Sequence, residues 1–425
     1  MGFSRAFKSC FRNSKSRTAM KATATSTGIL VSTKTGLPVP DEAKEKQHHL
    51  PNGRFANPWL SWHDPNRPEL MKWAISGFFN GTWPKPKGDE VKVIAPQFEQ
   101  SRTDVKDLRA TWLGHACFLV EFPGGFRALF DPVFCHRCSP FTFMGPARFT
   151  KVPCEIEEIP IVDAVIISHA HYDHLDVSSV NRIHKKFPNA HFFVPLNNKK
   201  WFSSLGIANC TEQDWWEDSE ITIEVKGNGE KEGEAVGGSE TTTSTLSATI
   251  SNFPCQHTAG RTLTDLNSTL WSSWGVTSGG KSVYFAGDTG YRAVPQVPEG
   301  EDDYGEKYND LPHCPAFKQI GDLRGPFDLG MIPIGAYNAR QFMSPMHANP
   351  FDSVNIFIDT KCKKAIGMHW GTWVLTAEPV LEPPRKLREA MKWKNLPEEG
   401  VFDVVAIGES VVVLEQEEAP VKPEE

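Results

Sequence analysis

Apolar runs in this chain are short, and several of them stop at a polar tip. Residues 161–167 are β-branched and nearly uncharged, Asp163 excepted, which predicts a buried strand. Immediately after it come His169, His171, Asp173 and His174. Residues 246–253 end in Pro254-Cys255-Gln256-His257, residues 282–287 in Asp288-Thr289-Gly290, and residues 365–368 in His369-Trp370-Gly371-Thr372. Upstream, residues 108–133 read as strand, turn and strand around Pro123-Gly124-Gly125. Val180, Ile183 and Phe187 fall at helical spacing before Pro188, and residues 190–195 return as a strand. Strand, polar loop, helix and strand in that order predict an α/β fold.

Alternate residues of an extended segment point to one side, so His169 and His171 can converge on one ion. Asp173 and His174 follow a turn and can face a second ion beside it. Imidazole nitrogen with carboxylate oxygen suits a borderline divalent cation, zinc first. The bland reading is a polar loop with incidental histidines, yet the chain has only 14 His and three of them lie here. A lone His after a strand is more often structural than a ligand. Four strand ends with the same placement carry the metal reading.

Thr111-Trp112-Leu113-Gly114-His115-Ala116, Asp131-Pro132-Val133-Phe134, Gly287-Asp288-Thr289-Gly290-Tyr291, Ile332-Pro333-Ile334-Gly335-Ala336-Tyr337 and the stretch from His369-Trp370-Gly371-Thr372 to Leu381-Glu382-Pro383-Pro384 are narrower signals. With the ordered set His169/His171/Asp173/His174, His257, Asp288, His369, the chain resembles the N-acylphosphatidylethanolamine-hydrolysing phospholipase D family of the metallo-β-lactamase superfamily. The resemblance spans residues 57–409. It implies an αββα sandwich with a binuclear site at the strand ends. It also implies two zinc ions per chain, other divalent ions being admissible. Asp288 would bridge them, with His169, His171 and His257 on one ion and Asp173, His174 and His369 on the other. Asp173, Asp288 and His347 are the catalytic candidates, His347 matching a family histidine near the scissile phosphate or leaving group, whose departure it would help if protonated. His115 would line the site without binding metal, and Asp131 would orient a ligand imidazole. The implied reaction is hydrolysis of N-acylphosphatidylethanolamine to N-acylethanolamine and phosphatidate at a membrane surface. A nuclease, lactonase or thioesterase of the same fold, or a membrane-associated scaffold without turnover, would share much of the pattern.

Composition bounds the partners. Net charge is -7, which does not favour nucleic acid. Nine Cys without paired spacing suggest a reducing compartment, and the single Cys135/Cys138 pair reads as a structural loop. No apolar run approaches the ~18 to 20 residues that span a bilayer, so contact with membrane phospholipid would be peripheral. A homodimer is compatible with the sequence.

Residues 1–40 carry Arg5, Lys8, Arg12, Lys15, Arg17, Lys21 and Lys34 with no acid before Asp41, and Phe3, Phe7, Cys10 and Phe11 fall at helical spacing. This predicts a mitochondrial targeting segment, disordered or removed; the alternative location is the cytoplasmic face of an intracellular membrane. Ala6 stands where a myristoylation signal at Gly2 would want Ser or Thr. Residues 41–100 read as linker and an amphipathic aromatic region. Within it Trp59, Trp62, Trp73, Phe78 and Phe79 are candidate membrane contacts, although packing onto the hydrolase domain is the competing use. Tyr172, inside the metal loop, is a candidate substrate contact. The hydrolase domain is expected over 101–413, with insertions near 226–245 and 292–313, the latter a cover for the site mouth or a partner surface. Residues 414–425 form an acidic tail.

Overall fold

The computed structural model describes residues 24–227 and 243–414, apart from single positions 82, 104, 263 and 299. In chain order the elements are β1 (Ala24–Lys34), α1 (Arg67–Phe79), β2 (Leu108–Gly114), β3 (Cys117–Glu121), β4 (Arg127–Phe130), β5 (Ala164–Ile166), α2 (Val177–Lys186), β6 (His191–Pro195), α3 (Lys199–Ser204), β7 (Cys210–Gln213), β8 (Asp218–Gly227) and β9 (Thr243–Phe253). Then follow β10 (Ser273–Ser278), β11 (Lys281–Phe285), α4 (Ala316–Leu323), β12 (Leu329–Pro333), α5 (Arg340–Met343), α6 (Pro350–Asp359), β13 (Ala365–Met368), α7 (Glu382–Trp393), β14 (Phe402–Asp403) and β15 (Ser410–Val413). They build an eight-stranded sheet, β1-β8-β9-β10-β11-β12-β13-β14, and a seven-stranded sheet, β15-β2-β3-β4-β5-β6-β7.

Period-two side-chain alternation explains the layering. Phe118 and Val120 of β3, with Ala164 and Ile166 of β5, face the core between the sheets, where they meet Ile250, Trp274, Val276 and Phe285. Their neighbours Cys117, Leu119 and Val165 face the other way, onto Val180 and Ile183 of α2 and Phe202 of α3. Both faces of β3 are buried, so the strand is apolar from Cys117 to Val120, and its terminal Glu121 pairs with Arg127 at 3.3 Å. Helices α6 and α7 cover the outer face of the eight-stranded sheet through Val354, Ile356, Leu387 and Met391. The result is the expected αββα sandwich. β4, β5, β6 and β7 run parallel, as do β11 to β14. Loops leaving parallel strands therefore gather at one edge, where ligands bind in such sheets.

The expected targeting segment needs a correction. Ala24–Lys34 pairs antiparallel with β8 over its length, and Ile29 and Val31 lean on the core, so the sheet begins well before residue 40. Residues 1–23 lie outside the described residues, as do 228–242 of the first expected insertion and 415–425 of the tail. The second insertion is a buttress. Its Tyr304 packs on Phe351 and Trp393, and Arg292 lies 3.7 Å from the Tyr304 ring. Among the described residues no helix is long and apolar enough to cross a membrane. Cys135 and Cys138 are free, with the Cys135 thiol on the Arg137 carbonyl.

Candidate metal centre

β5 ends at Ile166, and the chain then passes through residues 168–175 before α2 begins. Asp131, at the end of β4, pins the start of that loop. It accepts from the Ser168 backbone N–H at 2.7 Å and from its hydroxyl at 2.5 Å. Across the sandwich Gly287 holds φ 58°, and a Cβ there would meet that of Ser168 at 2.7 Å, so only glycine lets the Asp288 strand end come this close. His115, Asp131 and His369 also adopt left-handed backbone, an arrangement that costs energy and clusters at functional sites.

Two groups of ligands result. His169, His171 and His257 converge, with His171 Nδ1 at 2.9 Å from His169 Nε2 and 3.3 Å from His257 Nε2. Beside them stand Asp173, His174 and His369, the two imidazole Nε2 atoms 3.2 Å apart and each 3.5 Å from Asp173 Oδ2. Asp288 lies between the groups. Its oxygens sit 3.1 Å from His174 and 3.0 Å from His369, and 3.8 Å from both His169 and His257. The seven expected ligands thus meet in one buried cluster. His115 belongs to it too, its Nε2 at 3.0 Å from Asp173 Oδ2, where it orients that carboxylate.

The far nitrogens are held in turn. His174 Nδ1 contacts Asp131 at 2.7 Å, His169 Nδ1 contacts the Ser168 hydroxyl at 2.9 Å, and His257 Nδ1–H donates to the Met346 carbonyl at 2.9 Å. Burial pushes His169 and His257 well below the ordinary imidazole range, leaving them neutral, the form that binds metal. His174 and His369 behave oppositely. Burial disfavours their charge, but Asp288 and Asp173 overcome it and raise both, His369 to about 9. The carboxylates therefore demand positive charge at these nitrogens. A divalent cation would supply it and release the protons, so the donor set fits a metal pair.

His347 stands 3.9 Å from Asp288 and edge-on to His257. Burial lowers it to about 4, so at neutral pH it is an uncharged hydrogen-bonding imidazole, and the condition of protonation is not met there. Tyr172 does not join the ligands. Its hydroxyl donates to the Arg261 carbonyl, and the Arg261 guanidinium lies 4.0 Å from its ring. Arg261 was not visible as a site residue. Its Nη1 donates to the carbonyls of Ala170 and Leu175, spanning the metal loop, and only its position four residues after His257 hinted at this.

The aromatic region divides. Trp59 stacks on Trp215 at 5.4 Å, and Trp73 packs near Trp83 and Phe342, so these rings serve the fold. Trp62 is half-buried, and the Phe78 side chain lies outside the described residues. Phe79 is 80% exposed, in line with Ile75 and Met71 along the outer face of α1. Leu60, Phe143 and Met144 are also exposed. A cavity of about 710 Å³ opens between α1 and the 137–147 loop, lined by Trp83, Phe143, Met144 and Val374, with Lys85 and Arg137 among its walls.

The comparisons with known proteins agree with this geometry. The model of the Beta-lactamase superfamily domain matches residues 127–370. N-acyl-phosphatidylethanolamine-hydrolyzing phospholipase D 1 of Caenorhabditis elegans is 37% identical over 308 residues, covering 71% of this chain and 75% of that protein. The mitochondrial N-acyl-phosphatidylethanolamine-hydrolyzing phospholipase D of Saccharomyces cerevisiae is 34% identical over 285 residues, 67% of this chain but only 52% of the yeast protein. Among solved structures, Igni18, a metallo hydrolase of Ignicoccus hospitalis, covers 73% of this chain and is itself covered to 99%, at 17% identity and a TM-score of 0.44, too distant to add to the assignment. The chain belongs to the N-acylphosphatidylethanolamine-hydrolysing phospholipase D family of metallo-β-lactamase-fold, metal-dependent hydrolases.

Proposed function

We propose that this protein hydrolyses N-acylphosphatidylethanolamine at a membrane surface, releasing N-acylethanolamine and phosphatidate, with two zinc ions in the seven-ligand cluster. The observation that carries the reading is an apolar cavity joined to that cluster through one loop, since Val374 lines it and also lines, with His369, a smaller pocket. Val374 of the large cavity follows His369 in the same loop, and Trp73 of α1 touches Phe342, which leads into the His347 turn. A lipid diester fits this arrangement. Its acyl chains lie along Phe143, Met144 and Trp83, and Lys85 and Arg137 of the same cavity offer cations to its phosphate. The exposed Met71, Ile75 and Phe79 face enters the headgroup layer.

Zinc there would polarise the phosphoryl oxygens and lower the pKa of water, giving a nucleophile at neutral pH. The protein's own groups do the rest. Asp288 and Asp173 hold the positive charge in place, and Asp131 and Ser168 fix the imidazoles. His347 offers a hydrogen bond to the leaving oxygen. No covalent enzyme intermediate is required. The mitochondrial yeast relative and the basic, acid-free residues 1–40 of this chain support a mitochondrial site of action.

The bond cleaved is testable by hydrolysis of liposomal N-acylphosphatidylethanolamine in ¹⁸O-water. Label in phosphatidate supports attack at phosphorus; label in N-acylethanolamine, or no release of it, rejects the reading.

A further inference from the structure

One buried side chain ties together the loops around this site without touching a metal position. Gln256 is fully buried at the end of β9, next to the ligand His257. Its Oε1 accepts from the Ser61 hydroxyl at 2.6 Å, and its Nε2 donates to the carbonyls of Pro345 at 2.9 Å and Ser61 at 3.3 Å. Its backbone N–H donates to the Thr289 hydroxyl at 2.9 Å, and its carbonyl accepts from Gly290 N–H at 2.7 Å. Three separate segments are thereby joined. They are the 57–62 stretch that carries Trp59, the strand end that carries Asp288, and the turn that carries His347.

The approach is close enough to exclude other residues. A Cβ on Gly290 would come within 2.2 Å of the Pro345 carbonyl oxygen. Beyond that point Met346 N–H and His347 N–H donate to Met343 and Ala348 N–H donates to Thr289, while the Met346 carbonyl receives the His257 ring N–H. Two side chains grip the turn from the metal-ligand side, the His257 ring at the Met346 carbonyl and Gln256 at the Pro345 carbonyl, and Gln256 is the one of the two that is not a candidate ligand. An amide is required for this task. It donates to one carbonyl while accepting from a hydroxyl, so no partner is left orphaned in a dry interior.

We infer that Gln256 is a positioning residue that sets where the His347 imidazole stands relative to Asp288, and that Ser61 carries the same restraint to the aromatic segment. This rests on the proposed role of His347 at the leaving oxygen, but the geometric claim stands apart from the substrate. Removing the amide frees the Pro345 carbonyl and lets the turn relax while the ligands stay in place.

Gln256→Met keeps the volume and removes both hydrogen-bonding atoms. Ser61→Ala is a milder variant that removes only the hydroxyl. The zinc-loaded full-length protein is tested in two ways. First, a crystal structure of zinc-loaded Gln256→Met is expected to show His347 displaced from Asp288 with His169, His171, His257 and His369 unmoved. An unmoved His347 overturns the inference, whatever the enzyme's substrate. Second, a double-mutant cycle on kcat, using liposomal N-acylphosphatidylethanolamine and bis(4-nitrophenyl) phosphate, compares Gln256→Met, His347→Ala and the pair. Gln256→Met is expected to lower kcat about tenfold on any ester the enzyme turns over, with KM little changed and no further loss in the pair, since groups acting as a unit are not additive. Additive losses, or loss of zinc in Gln256→Met, would mean a merely structural role. If only the soluble ester is cleaved, the lipid reading fails while the cycle still decides the role of Gln256.

Discussion

His174 Nδ1 lies 2.7 Å from Asp131 Oδ2, and this contact decides which imidazole nitrogen faces Asp173 and Asp288. The same carboxylate also holds the Ser168 hydroxyl that touches His169. One residue from the end of β4 thus orients a ligand in each group. Asp131→Asn keeps the shape but loses the charge that steadies the ring N–H. It is expected to weaken zinc binding about tenfold to a hundredfold, the usual effect of losing a partner of a metal-bound His. Competition against a fluorescent chelator measures this. Unchanged affinity would mean that the loop backbone alone places the imidazoles.

The N-terminal segment has a limit set by the sheet. β1 covers β8 from Lys34 opposite Asp218 to Ala24 opposite Gly227. Cutting within it would expose the edge of β8 and the apolar side chains beneath. If a leader is removed, the mature N-terminus is expected at or before residue 24, and sequencing the protein from isolated mitochondria reads it directly. A mature chain starting after Lys34 would contradict the sheet.

The exposed face of α1 gives a prediction about interfaces. Phe79→Glu and Ile75→Glu place charge where apolar side chains would enter the headgroup layer. Each is expected to lower turnover on phosphatidylcholine vesicles carrying the substrate about tenfold relative to turnover of a soluble diester, since burying one large apolar side chain contributes about 1.5–3 kcal/mol. An unchanged ratio would move the membrane contact elsewhere.

Away from the metal centre, the buried carboxylate of Asp214 receives His48 at 2.7 Å, His49 at 2.9 Å and Lys46 at 2.8 Å. Burial alone would raise its pKa, but the contacts with His48 and Lys46 outweigh it and hold the group well below the ordinary carboxylate range. A depressed native pKa stabilises the fold above the unfolded value of about 3.9, and that contribution is lost as pH falls through the native value. Asp214→Asn is expected to cost about 1–3 kcal/mol at pH 7, because buried His48 loses its hydrogen-bond acceptor while the contacts to the more exposed Lys46 and His49 add little. The difference from wild type should shrink below about pH 4. Urea unfolding of the two proteins across pH tests this; a difference that grows in acid would reverse the sign.

Much of the centre was legible because its chemistry sits where periodicity breaks. His169, His257, Asp288 and His369 each follow an apolar run, and a strand end is a position that sequence patterns mark well. What was hidden depends on contacts between distant segments. Gln256 looks like any polar residue before a histidine until Ser61 and Pro345 arrive beside it. Trp59 and Phe79 share an aromatic region in sequence, yet one stacks on Trp215 and the other is 80% exposed. β1 was missed for a different reason. Its Ser- and Thr-rich, acid-free composition continues that of the basic residues before it, and the alternation of Ile29 and Val31 toward the core is the signal that composition obscures.

The central claim is a binuclear lipid phosphodiesterase, and one measurement tests it most directly. Metal content of the purified full-length protein is determined, then liposomal N-acylphosphatidylethanolamine is assayed beside a soluble diester, with Asp288→Asn as control. About two ions per chain are expected, the number that one bridging carboxylate can join. Release of N-acylethanolamine and phosphatidate from liposomes is also expected, with both ions and activity lost in Asp288→Asn. Two ions with turnover of the soluble ester alone would contradict the lipid assignment, and full activity in Asp288→Asn would contradict the site.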